Sequence, residues 1–76
     1  METRVHRGRV LSFDGRGMLI RVHDEELERD VAVHWTSYWG EIPGLPPSPN
    51  EAIELVYNGT PSVPHLLAAR PMKNGG

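Results

Sequence analysis

Asp30-Val31-Ala32-Val33-His34-Trp35 decides how this chain is read. It alternates cleanly: Val31 and Val33 fall on one face of an extended strand, and Ala32 and His34 on the other. An aromatic run follows at once, with Trp35, Tyr38 and Trp39. A half-buried strand that ends in His-Trp suits a small β-barrel presenting rings to a flat ligand.

Upstream, Val5 to Phe13 reads as a first strand. Val10, Leu11 and Phe13 do not share one face, so a bulge or strong coil near Gly8 is expected. Asp14-Gly15 is a strong turn signal, and Gly17 helps the chain reverse. Met18 to His23 forms a second strand, with Met18, Ile20 and Val22 directed at the core and Leu19, Arg21 and His23 away from it. The acidic connection from His23 to Arg29 has room for one helical turn but not for a helix that stands alone. The acidic run Asp24 to Asp30 reads most simply as a solvated loop.

Downstream, Trp35 to Asn50 is a long connection that carries Pro43, Pro46, Pro47 and Pro49 with Gly40 and Gly44. No regular element is expected to run through it. A loop this long in so small a domain is usually functional or mobile. The prolines would stiffen it, or offer a polyproline ligand to a partner domain. Glu51 to Tyr57 is a fourth strand, with Ile53, Leu55 and Tyr57 on one side. Asn58-Gly59-Thr60-Pro61 turns the chain; it has the form of a glycosylation acceptor but is more simply a turn. His65 to Arg70 is a fifth strand, bracketed by Pro64 and Pro71. The expected organisation is an extension over 1–4, a barrel over 5–71 and a flexible tail over 72–76.

The chain has 76 residues. A domain of this size buries only about 60% of its unfolded surface, so it must be compact to be stable. Cysteine is absent, which removes disulfides and thiolate metal sites and fits a cytoplasmic setting. No apolar run approaches a membrane span, so no membrane partner is expected. The net charge of −2 is not that of a strong duplex-DNA binder. Its distribution is uneven. Residues 1–21 carry five arginines against Glu2 and Asp14, a balance of +3, whereas residues 24–30 stand at −4. The first hairpin is basic and the loop after it acidic.

Gly8-Arg9-Val10-Leu11-Ser12-Phe13, followed later by Asp30-Val31-Ala32-Val33-His34-Trp35, resembles the cold-shock domain. That family's pattern is Gly-x-Val-Lys-Trp-Phe, then Gly-Phe-Gly-Phe-Ile, then Asp-Val-Phe-Val-His-Phe. Ile53-Glu54-Leu55-Val56-Tyr57 and Ala68-Ala69 fall where the family has its fourth and fifth strands, so the resemblance spans roughly 5–71. It implies an all-β fold: a small five-stranded OB-type antiparallel barrel with a long Pro-rich loop between strands 3 and 4. It also implies binding of single-stranded RNA or DNA on a platform formed by the first three strands.

Residue by residue, Val10, Phe13, Val31, Val33 and His34 match the pattern, and Trp35 stands for a phenylalanine. Leu11 replaces the lysine, Ser12 the tryptophan and Ala32 the central phenylalanine. Read without gaps, Leu19 and Arg21 take the two phenylalanine positions of the second strand. Read with a shortened turn, Arg16 and Met18 take them. The ungapped register is preferred, because the other would bury Arg21. Base–aromatic stacking is worth about 1–3 kcal/mol per base, so these losses remove much of the expected binding energy. An arginine at position 21 offsets part of it by stacking its guanidinium plane and meeting phosphate.

The implied binding residues are Arg21, His34 and Trp35, flanked by Phe13, Leu19, Tyr38 and Trp39, with Arg7, Arg9 and Arg16 attracting phosphate. The other expectation is a repurposed fold that contacts a protein partner through the Trp35–Trp39 loop. His6, His23, His34 and His65 are scattered and do not suggest a metal site. Nothing suggests a cofactor or catalysis. There is no cysteine nucleophile, Gly-rich phosphate loop or plausible triad, and Glu25 and Glu26 lie where nothing would desolvate them.

Overall fold

The structure, a computed structural model, describes residues 3–40 and 46–72. Residues 73–76 of the expected 72–76 tail and Pro43 lie outside the described residues, as do residues 1, 2, 41, 42, 44 and 45.

Five antiparallel strands form one sheet: β1 (Arg4–Asp14), β2 (Leu19–Asp24), β3 (Arg29–His34), β4 (Ala52–Gly59) and β5 (Pro64–Pro71). Their spatial order is β3-β2-β1-β4-β5, so the long β1 is the centre and two hairpins hang from it. The sheet curls into a half-barrel, which brings β3 and β5 into contact. The chain leaving β3 helps join these two ends: Trp39 N donates to Ala69 O at 2.8 Å.

The strand pattern follows from burial on one face. Val10, Ile20, Val22, Val33, Ile53, Leu55, Tyr57 and Ala69 fill a single core. Ile20 and Val22 lie inside and Arg21 outside, as the ungapped register requires. Met18 departs from expectation. It closes the β1–β2 turn with φ 56° and is half-buried, and β2 starts one residue later. The bulge in β1 is also displaced. Pairing with β2 is regular through Gly8 and shifts between Val10 and Ser12, so Leu11 is the extra residue. That single insertion returns Phe13 to the row of Ile20 and Val33 and leaves Leu11 exposed.

Gly8 has a different task. It faces Asp24 and Ile53 across the two neighbouring strands, at the floor of the core. A Cβ there would lie 2.7 Å from Val22 Cγ1 and 2.9 Å from Leu55 Cδ1.

The acidic connection forms one helical turn, with Glu28 N donating to Asp24 O at 2.9 Å and Glu28 at φ 56°. The long connection is more regular than expected. Trp35–Ser37 is a short 3-10 turn, and Tyr38 forms an isolated bridge with Ala69. No helix among the described residues is long and apolar enough to cross a membrane.

Candidate functional site

Strand pairing sets the outer face of β1, β2 and β3 in three rows. Arg9, His23 and Asp30 are aligned; next come Ser12, Arg21 and Ala32; then Asp14, Leu19 and His34. Arg21 is exposed at the centre of this face, with only a serine and an alanine beside it on the adjacent strands. Arg9, Arg16 and Arg21 form no ion pair with any described residue. Arg7 does: its Nε donates to Glu25 Oε1 at 3.1 Å, so its charge is shared with the acidic turn.

His23 and Asp30 pair with each other in the first row, beside Arg9. His23 Nδ1 donates to Asp30 Oδ1 at 2.8 Å. That hydrogen bond holds the imidazole above its ordinary pKa, helped by the charges of Asp30, Glu28 and Glu25 and opposed by partial desolvation.

The sequence-derived residues do not all meet on this face. Arg9, Leu19, Arg21 and His34 lie on it, and Arg16 sits in the turn at its end. Phe13 does not: it is half-buried against the core, in the inward row. Trp35 and Tyr38 are also half-buried and packed on the core. Burial, with the charge of Glu51 adding to it, raises the Tyr38 phenol above its ordinary pKa. Trp39 is the exposed ring, at 59%, and its backbone is tied to β5 rather than to the three-stranded face.

His34 is held by a local device. It caps the 3-10 turn: Thr36 N donates to its Nδ1 at 3.3 Å, and the Thr36 hydroxyl oxygen shares a 2.8 Å hydrogen bond with the same atom.

A second polar cluster lies inside the half-barrel, and it corrects the reading of 24–30 as a solvated loop. Asp24 is fully buried, and its carboxylate accepts four hydrogen bonds. Oδ2 takes the Tyr57 hydroxyl at 2.6 Å and His6 Nδ1 at 2.8 Å. Oδ1 takes the amides of Glu26 and Leu27, both at 2.9 Å. The His6 and Tyr57 rings stack obliquely, 4.6 Å between centroids. Burial by itself pushes the Asp24 carboxyl up, but the hydroxyl, the imidazole and the two amides together outweigh it and hold the pKa below 3.8. Tyr57 moves the other way: burial, then the bond to and charge of Asp24, raise its phenol well above 10.0. Both shifts favour an ionised Asp24 bonded to a neutral Tyr57. This cluster anchors the turn to β1 and β4; it is closed to a ligand.

No protein-family model matches the chain, and no significantly similar curated protein or solved structure was found.

Proposed function

We propose that this chain is a cold-shock-like OB barrel that binds single-stranded RNA or DNA on the outer face of β1, β2 and β3, weakly and with little sequence preference, as a cytoplasmic RNA chaperone or regulator would. The observation that carries the reading is Arg21. It is an exposed guanidinium with no ion pair among the described residues, set between Ser12 and Ala32 in the middle of the sheet face. Small neighbours leave room for a flat base against the sheet, and the guanidinium supplies both a stacking plane and a phosphate contact. The central β1, its pairing with both β2 and β4, and the contact between β3 and β5 support an OB-type barrel.

The face is poor in exposed rings, so charge carries more of the binding than in a ring-rich platform. Arg9, Arg16 and Arg21 are the cations available for phosphate. Three contacts on a single strand give a slope of about −2 in log affinity against log salt. Affinity for a labelled oligo-dT or oligo-U, followed by fluorescence anisotropy, is therefore expected to fall about twentyfold between ~50 and ~200 mM salt. No anisotropy change up to millimolar protein at low salt overturns the reading.

A protein-interaction role is favoured by a different surface. Val5 and Leu67 are 42% and 47% exposed, and Trp39 is also exposed, whereas the neighbouring Val56 and Ala68 are buried. A fold repurposed for protein contact would use these apolar groups.

A further inference from the structure

We propose that Thr36 fixes His34 in the tautomer that carries its proton on Nε2, so that His34 presents an N–H donor to an acceptor atom on a nucleobase. This rests on the reading of the outer face as a single-strand interface and names what one residue of that face recognises.

The argument begins with a backbone amide. Thr36 N can only donate, and it points at His34 Nδ1 from 3.3 Å. Nδ1 must then offer its lone pair. The Thr36 hydroxyl, 2.8 Å from the same atom, is therefore also a donor. With Nδ1 occupied as an acceptor, the neutral imidazole has its hydrogen on Nε2. His34 is exposed at the end of β3, with backbone dihedrals of φ −67° and ψ 142°, and its other ring edge is committed to the 3-10 turn.

The surroundings select the kind of acceptor. Across β2, His34 faces Leu19, and Leu19 in turn faces the Asp14 carboxylate. A phosphate placed there would meet an apolar side chain with an anion behind it. A base edge meets neither objection: its carbonyl oxygens and ring nitrogens are neutral acceptors, and its faces tolerate leucine. Arg21, diagonal to His34 on β2, is left as the phosphate partner. Thr36 is thus a positioning residue and His34 the contact.

The test uses the whole chain and two probes, oligo-dT and an abasic phosphodiester of equal length. Long-range proton–nitrogen correlation spectra of the wild type should show His34 with an unprotonated Nδ1 and a protonated Nε2. Thr36→Val keeps the amide at 3.3 Å but removes the closer hydroxyl at 2.8 Å, so it should loosen that pattern and weaken oligo-dT binding roughly three- to tenfold, the range for one hydrogen bond. Binding of the abasic strand should stay unchanged, and Thr36→Ser should restore both signals. A proton on Nδ1 in the wild type overturns the proposal. So does equal loss for both probes, or unaltered oligo-dT affinity in Thr36→Val and in His34→Ala, which covers the case in which Thr36→Val does not fold. Failure of the wild type to bind either strand overturns the interface reading itself, and with it the donor role; the spectrum then still reports whether the tautomer is fixed.

Discussion

Asp24→Ala is expected to cost about 3–5 kcal/mol, the range seen when one member of a buried charged network is removed. The hydroxyl of Tyr57, a residue only 2% exposed, would lose its partner, as would His6 Nδ1 and two turn amides. A domain of this length has on the order of 4–11 kcal/mol of stability in all. The variant should therefore melt at least ~12 °C lower or be unfolded, at about 4–8 °C per kcal/mol. Tyr57→Phe removes one of the four bonds and should cost about 1–2 kcal/mol. Glu25→Ala, in the same turn but with a solvent-exposed ion pair to Arg7, should stay within about 1 kcal/mol of wild type.

The same cluster sets a pH window. Asp24 has a depressed pKa in the fold, so its contribution is present above 3.8 and is lost as pH falls through the lower folded value. Tyr57 has a raised one, so its contribution is present below 10.0 and is lost as pH rises through the higher folded value. Urea unfolding followed by circular dichroism across this range checks both limbs. An Asp24→Ala protein within ~1 kcal/mol of wild type would contradict this account.

Gly8→Ala is the second large effect, at about 1–3 kcal/mol of overpacking. The added methyl meets Val22 Cγ1 at 2.7 Å and Leu55 Cδ1 at 2.9 Å. Both side chains are fully buried, which leaves little room for either to turn away. Val22→Ala should partly rescue Gly8→Ala, because it empties the space that the methyl takes. The double variant should then be more stable than the sum of the single changes predicts. Additive losses would mean that Gly8 is needed for its backbone and not for its lack of a Cβ.

Much of the fold was legible because burial imposes a period of two. Val31/Val33, Ile20/Val22 and Ile53/Leu55/Tyr57 each alternate, and each lies inward. The bulge was less visible. Val10, Leu11 and Phe13 required an irregularity, but nothing local distinguished Leu11 from Gly8 as its place; pairing with β2 decides that. Asp24 is the instructive miss. A carboxylate at the head of an acidic run reads as solvated, and its partners His6 and Tyr57 are distant in sequence. Yet Ile20, Val22 and Asp24 continue one inward period, and an aspartate just before a tight turn is suited to capping amides. Those two signals together point to its burial.

At the candidate site, the alternation placed Leu19, Arg21 and His34 correctly on the outer face. The aromatic run was harder to read. Composition shows three rings but not that Trp35 and Tyr38 turn back on the core after the 3-10 turn, leaving Trp39 exposed beside β5. A half-barrel this small needs large side chains against its core, and that requirement competes with any ligand for them.

The central claim, that the outer face of β1–β3 holds a single strand, is tested most directly by titrating nitrogen-labelled protein with oligo-dT at low salt and following amide shifts. The account predicts that the shifts concentrate at Arg9, Ser12, Leu19, Arg21, Ala32 and His34 and are lost with Arg21→Glu. No shifts at millimolar oligonucleotide, or shifts confined to Val5, Leu67 and Trp39, would contradict it.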